Sequence, residues 1–311
     1  MFGYHWYSDI MCVRIMKALL KIQIKRVYPM NGEKRGLAII FSHYKFLKRG
    51  NLRVGNKSDR KKMKALLTKF GFEVMICKDY PKRKIFKTLS EVSRMDHSNN
   101  DCLIIIVMSH GDSGILRSYD EDYDVCKLWS KFTETKCPSL KGKPKLFFIQ
   151  ACRGNDTDSG INLEYRSETH HRNELPPNSN STTDVINFKL TQKDMEMFLT
   201  PNEPDFLIGY ATIAGHCAFR RDKGSWYIEE LCTIFKRYGR KYDILTLLTF
   251  VAQHVALKYI SLSYEEPKKN DKTQIPCITH TLIKQLYFFP EEAEDVPVDL
   301  RLDQYVDTFE K

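Results

Sequence analysis

Cys152 follows Gln150 and Ala151 at the end of an apolar run and precedes Arg153 and Gly154, while His110 stands in Ser109-His110-Gly111-Asp112 at the end of another. A thiol is a nucleophile only as its thiolate, which needs a neighbouring base or cation. The oxyanion it raises on a carbonyl needs donors that are held in place. Cys152 as nucleophile, His110 as acid and base, and the backbone N–H groups of Gly111 and Cys152 as oxyanion donors would meet those needs. Such a set transfers an acyl group through a thioester and calls for no metal and no organic cofactor. It works only if the two short peptides meet in space.

The residues before each peptide supply the means of meeting. Residues 103–108 and 146–149 are almost uninterrupted apolar runs, the pattern of strands buried on both faces of a parallel sheet. Catalytic groups collect where such strands end. Residues 35–41 and 73–77 read as two further strands, 58–70 as a helix with Met63, Leu66, Leu67 and Phe70 on its inner side, and 83–94 as a second helix. Two more helices are expected after Ser225 and after Asp243, and a final strand over 282–288. This alternation predicts an α/β fold with helices on both faces of a mostly parallel sheet. Residues 155–184 hold Pro176-Pro177-Asn178-Ser179 and lack apolar periodicity, so they read as an exposed, protease-sensitive loop.

Composition excludes several classes. At 311 residues and 42% hydrophobic content, the chain can bury a full core and is neither disordered nor collagen-like. Its nine cysteines form no C-x-x-C pair, which argues against a disulfide framework or a zinc site and suits a reducing, cytoplasmic setting. Residues 10–24 are apolar but interrupted by Arg14, Lys17 and Lys21, so they do not read as a membrane span. Asp9 and the lack of a small-residue cleavage site argue against a secretory signal. A disposable prosegment is the reading, with a membrane-surface or partner-binding helix as the other option. The net charge of +10 is scattered along helical stretches as solvated faces, without the interleaved aromatics of a nucleic-acid binder. No nucleic acid and no membrane is therefore expected as a partner, although a basic surface could steer acidic protein substrates. Residues 291–311 reverse the sign and read as a solvated acidic tail.

The pentapeptide Gln150-Ala151-Cys152-Arg153-Gly154, with a histidine 42 residues upstream, resembles the signature of the caspases, the aspartate-specific cysteine peptidases. The resemblance runs over residues 35–290. Arg35-Gly36-Leu37-Ala38-Ile39-Ile40-Phe41 and Gly71-Phe72-Glu73-Val74 resemble the family's first two strands, and Pro204-Asp205-Phe206-Leu207 the opening of its small subunit. Gly224-Ser225-Trp226-Tyr227-Ile228, Gln274-Ile275-Pro276-Cys277 and Leu286-Tyr287-Phe288 complete it. It implies a caspase-like three-layer fold, with a six-stranded, mostly parallel central sheet whose last strand pairs with its copy across a twofold axis.

The resemblance also implies a function. Protein substrates would be cleaved after aspartate in exposed loops, in an executioner-type role in apoptosis, by a homodimer of large and small subunit pairs. The zymogen would comprise a short prosegment (1–34), a large catalytic subunit (35–155), a linker cleaved on maturation (156–184), a small subunit (185–290) and the acidic tail (291–311). Asp184 is the preferred processing site, with Asp158 and Asp156 as second choices. The bland alternative is that these are ordinary loop aspartates. An upstream initiator caspase and inhibitor-of-apoptosis proteins are implied partners. Arg53 and Arg220 resemble the family's pocket arginines, which grip a carboxylate with paired hydrogen bonds, and Gln150 joins them. Phe219 and Trp226 would line the neighbouring subsites. One departure stands out: Cys217-Ala218-Phe219-Arg220 replaces the Tyr-Ser-Trp-Arg of many executioners, and the loop from Arg220 to Gly224 is one residue short. The apolar pocket at Cys217 should be roomier. The alternative function is a catalytically weak or inactive homologue that acts as a regulatory binding partner, a role that would require none of the intact Cys152, His110, Gln150 and arginine set.

Overall fold

Successive residues of the long apolar strands feed two different cores, because side chains alternate across a strand. The computed structural model describes residues 27–47, 52–161, 204–263 and 266–290. In chain order the elements are β1 (Lys34–Ser42), α1 (Asn56–Lys69), β2 (Glu73–Lys78), α2 (Lys82–Ser93), β3 (Asn100–Met108), β4 (Gly111–Asp112), β5 (Ile115–Arg117) and β6 (Asp122–Asp124). There follow β7 (Lys145–Gln150), β8 (Phe206–Tyr210), β9 (Arg220–Arg221), β10 (Gly224–Ser225), α3 (Trp226–Tyr238), α4 (Ile244–Lys258) and β11 (Cys277–His280).

Ile104, Ile106, Leu146 and Phe148 point to one face of the sheet, where Met63, Leu66 and Leu67 of α1, Leu231 and Phe235 of α3, and Leu247 and Val251 of α4 cover them. Leu103, Ile105, Val107, Phe147 and Ile149 point to the other, against Ile85, Leu89 and Val92 of α2 and the segment carrying Leu116, Tyr123 and Phe132. Full burial of one such side chain stabilises the fold by about 1.5–3 kcal/mol. Double-sided burial is why these strands read as unbroken apolar runs. The spacing of α1 likewise reports its contact: Met63, Leu66 and Leu67 fall on one face, with Asp59 in the first turn and Lys69 in the last to suit the helix dipole. Asp243 caps α4 by accepting from the N–H groups of Leu245 at 3.0 Å and Thr246 at 3.4 Å.

The central sheet has six strands in the order β11-β8-β7-β3-β1-β2, all parallel except the edge strand β11, which runs antiparallel to β8. With helices on both sides this is the expected three-layer α/β architecture.

One expected element is not where the sequence placed it. The last strand is Cys277–His280, not 282–288. The later segment leaves the sheet to line the helical layer. Leu286 and Phe288 are buried there, with the Phe288 ring 5.2 Å from that of Phe70 and 5.8 Å from that of Phe235. Its backbone is satisfied elsewhere: the Gln285 carbonyl accepts from Tyr28 N–H at 3.0 Å and the Leu286 carbonyl from Ile244 N–H at 2.8 Å. An apolar run reports burial without saying which layer does the burying.

Candidate active site

Three neighbouring strands deliver the site. The loop after β1 brings Arg53, the turn after β3 brings His110, and the turn after β7 brings Cys152. The order of chain connections reverses at β1, which lies between β2 and β3. Open α/β sheets bind ligands at the carboxyl ends of strands around such a point.

Register sets His110 and Cys152 side by side. Met108 pairs with Gln150 across the β3–β7 ladder, and the Ser109 N–H donates to the Gln150 carbonyl at 3.1 Å. His110 and Cys152 each lie two residues beyond that pair, on adjacent strands about 4.8 Å apart. Gly111 packs directly on the Cys152 backbone: a Cβ there would meet the Cys152 carbonyl oxygen at 2.6 Å and the Ala151 Cβ at 3.0 Å. Glycine is required by that approach. The buried Phe46 ring, its centroid 4.9 Å from that of His110, walls the imidazole on another side.

Cys152 is half-buried, and its Sγ accepts from the Ala218 N–H at 3.3 Å. The Cys217 thiol also donates to it. The Cys217 bond, the Ala218 N–H and the charges of Arg220 and Arg53 outweigh burial and pull the Cys152 pKa down to about 6. The surroundings therefore favour the thiolate form of Cys152. The Cys217 proton is held the harder for it, since its pKa is raised, first by that same bond and then by burial.

Beside the thiolate lies a cationic socket. Arg53 is fully buried, its N–H donates to the Tyr44 carbonyl at 2.9 Å, and its Nη2 lies 3.5 Å from the Gln150 carbonyl. Its Nε and Nη1 have no partner, and neither does Oε1 of the buried Gln150. Burial, with Arg220 adding its charge, lowers the Arg53 pKa to about 9, and burial lowers that of Arg220 as well. Arg220 sits in β9, paired with Ser225 of β10. Asp59 of α1 anchors that hairpin by accepting from the Ser225 N–H at 2.8 Å and its hydroxyl at 2.6 Å. The Asp59 charge acts on both guanidinium groups, and Arg53 keeps donors to spare.

Phe219 and Trp226 come together, but not as an open slot. Their rings stack at 4.8 Å and Trp226 continues onto Tyr259 at 5.1 Å, so Phe219 covers a tryptophan that is only 3% exposed. The Phe219 N–H donates to Gln274 Oε1 at 2.6 Å, and Tyr259 donates to the buried carboxylate of Glu230 at 2.5 Å.

Asp156 and Asp158 lie just beyond Cys152. Asp156 donates its N–H to the Gly215 carbonyl at 2.9 Å and accepts from the Cys217 N–H at 2.8 Å, while the Asp158 carbonyl accepts from the Thr273 N–H at 2.8 Å. Asp184 lies outside the described residues.

Sequence reasoning missed Asp59, because an acidic residue in a first helical turn ordinarily serves only the dipole. It also missed His43, which is fully buried with both ring nitrogens unpartnered and held neutral by burial at a pKa of about 4, so that it adds no charge beside Arg53. Cys217, expected only to widen the apolar pocket, is in addition a hydrogen-bond donor to Cys152. Among the described residues no group of three His, Cys, Asp or Glu side chains is placed to hold a metal, and no helix is long and apolar enough to cross a membrane.

Comparison with known proteins agrees with this construction. The Caspase domain family matches residues 35–287. The chain is 36% identical to Caspase drICE of Drosophila melanogaster over 84% of its own length and 72% of the relative's. It is 38% identical to Caspase-1 of Drosophila melanogaster over 84% and 75%. The crystal structure of Caspase-1 from Spodoptera frugiperda superposes with a TM-score of 0.73 at 36% identity, covering 86% of this chain and 96% of that one. Fold and relatives together define a cysteine-type endopeptidase. The chain belongs to the caspase family.

Proposed function

We propose that this protein cleaves protein substrates on the carboxyl side of aspartate. The observation that carries the reading is the buried Arg53, with two guanidinium nitrogens unpartnered, facing Arg220 beside an activated thiol. Donors left unmade inside a protein are costly, so a site that retains them is shaped for a ligand that completes them. A short carboxylate supplies what is missing, with paired hydrogen bonds and opposite charge.

In the mechanism we propose, the Cys152 thiolate attacks the carbonyl after the aspartate, and the N–H groups of Gly111 and Cys152 receive the oxyanion. His110 gives a proton to the departing amine, then takes one from the water that hydrolyses the thioester. The depressed thiol pKa favours an active enzyme over an inactive regulatory homologue.

The same reading includes an executioner-type role in apoptosis, a cytoplasmic location, and activation by an upstream initiator caspase with restraint by inhibitor-of-apoptosis proteins, all on the strength of the family resemblance. Maturation would divide a large subunit (35–155) from a small one (185–290) by a cut in 156–184, after removal of 1–34 and with 291–311 as a solvated tail. Asp184 remains the preferred cut site. Asp158 ranks above Asp156, whose N–H and carbonyl are both tied to the 215–217 segment and would have to be torn free for cleavage. The antiparallel edge strand β11 offers unpaired backbone groups to a second copy, in keeping with a homodimer.

The test is hydrolysis of fluorogenic tetrapeptides ending in aspartate, glutamate or asparagine. Selective cleavage after aspartate, lost in Cys152→Ala, is expected. Equal cleavage of the three, or unchanged turnover in Cys152→Ala, would overturn the assignment.

A further inference from the structure

Cys217 stands where many executioners carry tyrosine, and the mechanism gives its thiol no chemical step. Two backbone segments hold it against the nucleophile. The Arg153 N–H donates to the His216 carbonyl at 2.9 Å, the Gly215 N–H to the Arg153 carbonyl at 2.9 Å, and the Cys217 N–H to the Asp156 carbonyl at 2.8 Å. The approach is so close that a Cβ on Gly154 would meet the Gly215 carbonyl oxygen at 2.1 Å, and Gly154 itself has φ 152°. The Cys217 Sγ lies 3.5 Å from the Gly154 carbonyl, and the Cys152 Sγ lies 3.3 Å from the N–H of Ala218, the residue after Cys217. Both residues are half-buried rather than sealed in the core.

We propose that Cys217 is a resolving thiol that captures oxidised Cys152 as an intramolecular disulfide and so makes the peptidase reversibly sensitive to hydrogen peroxide. The Cys152 thiolate attacks one oxygen of the peroxide, the O–O bond breaks, and the departing hydroxide takes up a proton to leave as water, giving the sulfenic acid. Cys217 sulfur then attacks the Cys152 sulfur. The S–O bond breaks, hydroxide leaves with the Cys217 proton as a second water, and the S–S bond forms. Peroxide is reduced by two electrons, which the two thiols supply.

The neighbourhood favours the sequence of events. The thiolate is the form that peroxide attacks, and Cys152 is the low-pKa partner. The Cys152 negative charge is part of what holds the proton on Cys217, and that hold is relieved once the sulfenic acid has formed. Among the other described cysteines, Cys77, Cys102 and Cys137 are buried. The disulfide removes the nucleophile from catalysis and stops its oxidation short of the irreversible sulfinic acid.

The full chain, reduced and then treated with hydrogen peroxide, alkylated and digested with trypsin without reductant, tests this. The sequence gives each cysteine its own peptide, Leu146–Arg153 and Asp194–Arg220. The expected product is these two peptides joined and two hydrogens lighter than their sum, with activity lost in step and largely restored by dithiothreitol. In Cys217→Ala and Cys217→Ser, each compared with its own untreated control, Cys152 should proceed to sulfinic acid and the recovered fraction should fall several-fold. Wild-type protein that carries sulfinic acid on Cys152 beside an alkylated Cys217, or variants that recover as fully as wild type, would overturn the proposal. Peptide mapping reads the disulfide whether or not the chain cleaves after aspartate, so a failure of the substrate assignment remains distinguishable from a failure of this one.

Discussion

Arg53→Met separates a receptor from a strut. Arg53 is fully buried, two of its guanidinium nitrogens lack partners, and burial beside Arg220 brings its pKa down to about 9. At about 1.4 kcal/mol per tenfold shift in protonation, a depression of that size penalises the charged form by several kcal/mol in the free enzyme. Methionine is of similar length and carries no charge, and replacing a buried ionic group by an apolar one is commonly neutral or stabilising by about 1–4 kcal/mol. With substrate bound the balance reverses. An aspartate carboxylate deprived of one of its two cationic partners loses about 3–5 kcal/mol. That corresponds to about 10²–10⁴-fold in kcat/KM. The assay pairs kcat/KM for tetrapeptides ending in aspartate and in asparagine with thermal melting of the same preparation. The aspartyl substrate should lose that factor, the asparaginyl one far less, and Tm should hold or rise. Aspartyl cleavage close to wild type would show that Arg53 does not face the substrate carboxylate. A fall in Tm beyond about 4 °C would show that its charge is a structural support after all.

Other expectations follow from the same contacts. The acid limb of kcat/KM should have its midpoint near pH 6, where Cys152 ionises, and Cys217→Ala should move it upward by removing the leading donor to the thiolate; an unmoved midpoint would refute that role. Because the folded state lowers this pKa from 9.0, the stability the thiolate contributes is complete above pH 9 and lost as the pH falls toward about 6. Denaturant titrations of wild type and Cys152→Ala should diverge across that interval, and parallel curves would count against it. Glu230 is fully buried and accepts from Lys258 at 2.7 Å and Tyr259 at 2.5 Å, with His254 at 3.0 Å. Glu230→Ala leaves the exposed Lys258 and His254 to water but deprives the Tyr259 hydroxyl of its acceptor, so it should destabilise the fold by about 1–3 kcal/mol in urea unfolding, against no change if the cluster were idle. Asp184→Ala should leave purified protein as a single chain by mass spectrometry, and processing at the usual point would assign the cut to another residue.

The strands that carry His110 and Cys152 were legible because burial on both faces leaves an unmistakable apolar run, and the turn peptides after them are short enough to be read whole. Pairing in register then does the rest. The misplacement of the last strand has the opposite cause: Leu286 and Phe288 are as apolar as any strand residue, yet they serve the helical layer. Asp59 was hidden because its partner, Ser225, lies 166 positions away. The covering of Trp226 by Phe219 and the pairing of Cys217 with Cys152 are likewise products of distant segments closing on one another. Residue types announce what a side chain can do; tertiary closure decides whom it does it with.

The place of β7 and β8 in the sheet bears on what a break in the chain between them would mean. The two strands run next to each other through the middle of the sheet, matched from Lys145 with Phe206 to Ile149 with Tyr210. A cut in the chain between the two strands would leave every rung of that ladder intact. The two fragments would remain one body, held together rung by rung without a peptide bond between them.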